Sequence, residues 1–249
     1  MKNFVFILMT ALLLFSCKSK EDKINDFVAM YNRSSGMINN PMISSTKAEK
    51  SADGVIDITI NTTLQKDALE TQLVGSSIPD LIGKVIESDN TGKELVNEGV
   101  KFNLRIRDVN QNIISAKTLD KSNIEKSNVD LKAIGKGEKP TTSQLNELLE
   151  TFNKNLPITD QATGVKILSI KADADNNIVY TNEVPDAIIP GLKTAGAEKM
   201  MKDEMLRSPE IRNILNKSSV LGVSKLRYVY NDSKGNLVKE IVITKEDLK

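Results

Sequence analysis

Residues 102–114 read Phe102-Asn103-Leu104-Arg105-Ile106-Arg107-Asp108-Val109-Asn110-Gln111-Asn112-Ile113-Ile114. Residues 226–238 read Leu226-Arg227-Tyr228-Val229-Tyr230-Asn231-Asp232-Ser233-Lys234-Gly235-Asn236-Leu237-Val238. At an offset of 124 the apolar residues coincide: Phe102 with Leu226, Leu104 with Tyr228 and Ile106 with Tyr230. Asp108 coincides with Asp232, and Asn112 with Asn236. Alternation at Phe102, Leu104 and Ile106 gives a strand with one buried face, and the Asx-rich stretch after it gives a turn. Each copy therefore predicts a β-hairpin.

Working outward, four more blocks repeat in the same order. Ile24-Asn25-Asp26-Phe27 with Tyr31-Asn32 matches Leu145-Asn146-Glu147-Leu148 with Phe152-Asn153, at an offset of 121. Their apolar spacing at i, i+3/i+4 and i+7 predicts helices. Ile43, Ser45, Lys47 and Ala48 match Ile167, Ser169, Lys171 and Ala172 as strands, at an offset of 124. Val55-Ile56 matches Ile178-Val179 as the returning strand, at an offset of 123. Leu81-Ile82 and Leu95-Val96-Asn97 match Met200-Met201 and Ile214-Leu215-Asn216 at an offset of 119, as helical regions. Each region carries a break, Ser88 to Gly92 in one and Ser208-Pro209 in the other. Pro209 suits the first position of a helix that Ser208 caps.

The expected fold is α+β: an internal duplication of an αββαββ unit, each copy an antiparallel four-stranded sheet with helices on one face. That order is also a circular permutation of the ferredoxin-like order. Copy one spans 23–122 and copy two 143–249. Residues 123–142 form a linker, with Gly135, Gly137 and Pro140 as breakers.

Upstream of the repeat, Lys2 supplies a positive start, and Phe4 to Phe15 is an apolar run too short to span a membrane. Leu14-Phe15-Ser16-Cys17 resembles the lipobox of bacterial lipoproteins. The resemblance implies that residues 1–16 are a signal peptide and that Cys17 is the lipid attachment site. It further implies that the mature chain is held in the cell envelope, at the outer membrane, on its periplasmic face or at the cell surface. Residues 17–22 then form a flexible tether. Within it, Glu21-Asp22 resembles the acidic export signals of surface lipoproteins in Bacteroidota, although a solvated tether has the same composition.

Composition narrows the chemistry. The chain has 249 residues and no histidine, and Cys17 is its one cysteine. A Ser-His-Asp or Cys-His site cannot be built, nor a histidine-containing zinc site, nor an internal disulfide. Acid–base work would fall to Asp, Glu, Lys or Tyr. Lys2 leaves with the signal, bringing the 34 basic residues level with the 33 acidic ones. A neutral chain has no electrostatic footprint for nucleic acid.

Three local patterns carry candidate chemistry. Asp173-Ala174-Asp175-Asn176-Asn177 opens like a calcium loop, but Ile178 and Val184 stand where an EF-hand needs Gly and Glu. A metal-free Asx turn has the same composition. Ser44-Ser45-Thr46-Lys47 fits S-x-x-K and Lys193-Thr194-Ala195-Gly196 echoes K-T-G, yet Ser44 falls on a predicted strand. Met200, Met201 and Met205 cluster on one helix, and Met37 and Met42 flank an earlier connection. Such a cluster suits an adaptable binding surface or a filled core.

The expected function is that of a non-catalytic binding module with no cofactor and no metal. It would attach to the membrane through Cys17 and bind a protein, peptide or surface component. A groove between the two copies is the expected site. The alternatives are a small-molecule or lipid carrier with an apolar pocket, and a carboxylate-based hydrolase.

Overall fold

The computed structural model describes residues 18–35, 43–51, 54–65, 69–130, 133–134 and 136–248. Cys17, Met37 and Met42 lie outside the described residues. The first half runs α1 (Lys20–Ser35), β1 (Ile43–Lys50), β2 (Ile56–Thr62), α2 (Leu69–Ser88), α3 (Asn90–Asn97), β3 (Phe102–Arg107) and β4 (Ile113–Leu119). The second runs α4 (Thr142–Asn153), β5 (Ile158–Thr159), β6 (Lys166–Ala172), β7 (Ile178–Glu183), α5 (Ile189–Leu192), α6 (Ala197–Arg207), α7 (Pro209–Ser218), β8 (Lys225–Asn231) and β9 (Leu237–Thr244).

Apart from β5 and the short α5, the two halves repeat one order, and each builds its own sheet: β1-β2-β3-β4 and β5-β6-β7-β8-β9. Two features differ from the expectation. The middle pair of each sheet, β2 with β3 and β7 with β8, is parallel rather than antiparallel. The helical crossover Leu69–Asn97 explains this, because a connection of that length returns the chain to the end where it started. A permuted ferredoxin-like sheet would pair every neighbour antiparallel, so that topology is not the one adopted. The second sheet also has a fifth strand, β5, which pairs Ile158 and Thr159 with Ile167 and Lys166.

The strand pairing also corrects two alignment offsets. Phe102 pairs with Ile56, and its counterpart Leu226 pairs with Ile178. Ile56 therefore corresponds to Ile178, at an offset of 122, rather than to Val179, which faces the other side. On the first strand, buried Ala48 corresponds to buried Ile170 rather than to Ala172. Ser45 and Ser169 each follow a β-bulge, but the bulges sit two residues apart along the sheet.

The helices lie on one face. Ile24 and Phe27 of α1, Ile86 of α2, and Leu95 and Val96 of α3 share one core with Ile56, Ile58, Ile60, Phe102, Leu104 and Ile106. The opposite face is a polar ladder: Asn103 Nδ2 donates to Asp57, and Thr118 Oγ1 to Asn103. The second core gathers Leu145 and Leu149 of α4 and Leu215 of α7 around Ile170, Ile178, Leu226, Ile241 and Ile243. Leu148 is only half-buried, beside these two.

Local chemistry sets the helix ends. α1 begins within the expected tether, because Ser19 and Asp22 cap it reciprocally. Glu21 pairs with Lys50 on β1. The break between α2 and α3 shrinks to Asp89, whose side chain accepts from the Gly92 backbone N–H at 2.8 Å. Gly92 is required there, since a Cβ would stand 2.5 Å from the Ile86 carbonyl. Ser208 caps α7 at the equivalent point, with Pro209 in its first turn, as expected.

Candidate binding site on the second sheet

Packing and ion pairs join the two halves. α2 packs on α4, and Leu73 of α2 reaches the second core. Buried Lys84 meets Glu147 at 3.1 Å, and Glu147 also accepts from Ser127 Oγ at 2.8 Å. Lys117 and Lys154 both reach Asp80, at 2.6 and 3.2 Å, and Lys154 also reaches Glu125. On the first-half side, the space among Asp80, Gly83, Lys84, Leu119 and Ile124 is about 10 Å³, hardly room for one water.

The second half offers a different surface. On the inner face of its sheet, cross-strand pairing sets three rows. The lowest is Ala172, Ile178, Leu226 and Ile243. Above it stand Ile170, Tyr180, Tyr228 and Ile241, and then Ile167, Asn182, Tyr230 and Lys239. Tyr180 and Tyr228 stack with ring centroids 4.7 Å apart and planes 6° from parallel. Met201, Met205 and Leu206 of α6 pack against the same core.

Comparing the halves isolates what is special here. The positions equivalent to Tyr180, Asn182, Tyr228 and Tyr230 are Ile58, Ile60, Leu104 and Ile106, all between 0 and 2% exposed. The three tyrosines of the second sheet are instead only half-buried. Among the described residues the buried side-chain polar atoms without a partner are Asn61 Oδ1 and Arg107 Nε. The tyrosine hydroxyls are not among them and make no hydrogen bond to another described residue, so they reach solvent. Asn182 braces the row by donating from Nδ2 to the carbonyls of Tyr180 and Val229.

Burial pushes the Tyr180 and Tyr230 hydroxyls up to about 12, and raises Tyr228 well above its usual value with help from the neighbouring phenols. The phenols stay protonated at neutral pH. They stand as hydrogen-bond donors, and the raised values make them weak acids.

The residues singled out in the sequence go elsewhere. The Asp173 carboxylate accepts from the backbone N–H groups of Asp175 and Asn177 and pairs with Arg227 at 3.0 Å. Ser44 lies on β1 and donates to the Asn61 carbonyl, while Lys47 pairs with Glu49. Thr194 closes the turn after α5 by donating to the Gly191 carbonyl. Met200 is 69% exposed, over a shallow depression of about 280 Å³ beside Gly196, Lys199 and Asp203. Met201 and Met205 point the other way, into the core. The methionine cluster thus splits between surface and core. Tyr180, Asn182 and Lys239 were not foreseen. The signal was in the repeat itself: at Tyr180 and Asn182 copy two departs from the aliphatic Ile58 and Ile60 of copy one, whereas Lys239 stands where copy one has Ser115.

No protein-family model and no curated protein matches the chain. Among solved structures, it is similar to a protein of Pseudomonas aeruginosa described as secreted, at 12% identity and a TM-score of 0.34, over 43% of this chain and 96% of that one. It is similar to the pilotin EpsS of the Vibrio vulnificus type 2 secretion system, at 14% identity and a TM-score of 0.33, over 46% and 97%. The pilotin AspS of the Vibrio cholerae type II secretion system gives 14% identity and a TM-score of 0.32, over 46% and 98%. Each likeness spans less than half of this chain, at a TM-score that assigns no role.

Proposed function

We propose that the chain is an envelope lipoprotein, anchored at the outer membrane through Cys17, that acts as a non-catalytic binding module for a protein or peptide. The first half is a closed scaffold. The second half carries the binding face, floored by Tyr180, Tyr228 and Tyr230. The single observation behind this reading is the contrast between halves: the same topology is sealed by aliphatic residues in one and left half-open by tyrosines in the other. Tyrosines suit recognition because they combine a large apolar ring with a polar tip.

A lipid or small-molecule carrier is the second reading, and the half-open aromatic floor favours it over a module with two sealed cores. Fatty-acid labelling should mark the wild type and spare Cys17→Ser. Capture from envelope membranes should then compare the wild-type chain with Tyr180→Phe/Tyr228→Phe/Tyr230→Phe. The reading expects one discrete partner that the hydroxyl-free variant loses. Equal labelling ends the lipoprotein assignment, and equal capture removes the site from the second sheet.

A further inference from the structure

The start of α1 bears on how the chain meets the membrane, granted that Cys17 carries the lipid. Lys18 follows Cys17 directly, and the chain is already helical at Lys20. Three residue steps therefore separate the acylated residue from the first turn, a reach of about 10 Å.

That turn belongs to the scaffold rather than to a tether. The Asp22 carboxylate accepts from the Ser19 backbone N–H, and the Asp22 N–H donates to Ser19 Oγ. Lys18 folds back along the helix and pairs with Asp26 at 2.5 Å. Glu21 pairs with Lys50 at the end of β1, and Lys23 with Glu94 and Glu98 at the end of α3. Each exposed pair contributes little alone. One turn further on, however, Ile24 is 2% exposed in the first core and fixes the helix there.

The same contacts identify which end of the first half faces the anchor. β1 ends there at Lys50, β2 and β3 begin there as the partners Ile56 and Phe102, and β4 ends there at Leu119. Lys101 and Lys121 stand exposed on the loops of this rim. The Asp108 turn closes the opposite end, beyond the six residues of β3, or about 20 Å away. The headgroup layer on one side of a bilayer is about 5–7 Å deep. A reach of about 10 Å from the acyl chains ends close to its outer limit. We propose that this rim lies against the lipid headgroups: the first turn of α1, the loop Glu98 to Lys101 and the loop Asp120 to Ser122. The first half is then a rigid foot on the bilayer. Lys18, Lys23 and Lys50 are already paired with carboxylates, so the anchor and not charge attraction sets the contact.

The test uses the full lipidated protein in phosphatidylcholine vesicles that carry nitroxide on some headgroups. The lipid occupies the Cys17 sulfur and the chain has no other cysteine, so an introduced cysteine is the one free thiol for a fluorophore. Lys101→Cys and Lys121→Cys report the rim, and Asn110→Cys reports the far end; all three positions are exposed. Quenching should be several-fold stronger at 101 and 121 than at 110. An insert of about ten Gly/Ser residues between Lys18 and Ser19, with a mean span of about 17 Å, should bring quenching at 101 and 121 down towards that at 110. Phosphatidylglycerol in the vesicles should not change the pattern. Equal quenching at 101, 121 and 110, or no effect of the insert, would overturn the proposal while fatty-acid labelling of the wild type leaves the Cys17 assignment standing. A wild type that takes up no fatty-acid label ends both.

Discussion

Asp108 and Asp232 hold their hairpin turns by the same bonds, although 124 residues separate them. Asp108 Oδ1 accepts from the backbone N–H groups of Asn110 and Asn112, each at 2.8 Å, and Oδ2 from Asn112 Nδ2 at 2.9 Å. Asp232 Oδ1 accepts from Lys234 and Asn236 at 2.9 and 2.8 Å, and Oδ2 from Asn236 Nδ2 at 2.9 Å. Asp173 repeats the pattern with Asp175 and Asn177. In all three turns the fourth residue has a positive φ: Gln111, Asn176 and Gly235. The shared D-x-x-x-N turn is thus a rule of this scaffold.

Asp108 is fully buried, so Asp108→Ala strands two backbone donors and should cost about 1–3 kcal/mol. Asp232→Ala, at an exposed turn, should cost less. Urea unfolding of both variants checks the order; a larger loss at Asp232 would contradict it.

Leu104 is 1% exposed in the middle of the first core, and its neighbour Arg105 faces the polar side. Leu104→Ala should cost about 2–5 kcal/mol. Arg105→Ala should stay within about 0.5 kcal/mol, since its contact with Asp57 is long, at 3.7 Å, and solvent-screened. Equal losses would place Leu104 outside the core.

The seam should be acid-sensitive. Burial alone would raise the Asp80 carboxyl, but hydrogen bonds from Lys117 and Lys154 outweigh it and hold it below the usual range. At Glu147, burial is likewise outweighed by Ser127, Lys84 and the Asn128 backbone. A carboxyl depressed by folding contributes its full stability above its unfolded value, about 4, and loses it as pH falls through the folded value. The unfolding midpoint should therefore hold steady from pH 7 to about 5 and drop below about 4. Lys84→Met/Glu147→Leu should flatten part of that drop, whereas Glu147→Ala alone leaves a buried lysine unpaired and should destabilise at neutral pH. Parallel profiles for the double variant and the wild type would show that the seam contributes nothing.

Chelator should leave thermal unfolding unchanged. The carboxylate that most resembled a metal ligand, Asp173, is engaged by two backbone N–H groups and Arg227. A midpoint drop of several degrees on adding EDTA would mean that a cation competes with those partners.

Much of the scaffold was legible because each hairpin carries its own signature: alternation at Phe102, Leu104 and Ile106, then an aspartate with an asparagine four residues later. Helix ends followed from single residues such as Ser208 and Pro209. Sheet direction was not legible, since it depends on where a crossover helix returns the chain. Register slipped at Ser45 and Ser169 because a bulge adds a residue that periodicity cannot see. β5 was missed because two residues carry no period. The binding face was hidden for another reason. Tyr228 and Tyr230 fit the alternating pattern as well as Leu104 and Ile106 do, so the apolar reading absorbed them. Only the burial contrast between equivalent positions separates them.

The central claim is that one half is scaffold and the other holds the ligand. Methyl NMR of methionine-labelled chain, titrated with the partner captured from envelope membranes, tests it most directly. Met201 and Met205 pack against the second core beside the tyrosines, Met200 points away on the same helix, and Met30 belongs to α1 in the first half. The account predicts shifts at Met201 and Met205 that saturate together, with Met30 and Met200 unmoved. Shifts centred on Met30, or equal drifts at all four, would contradict it.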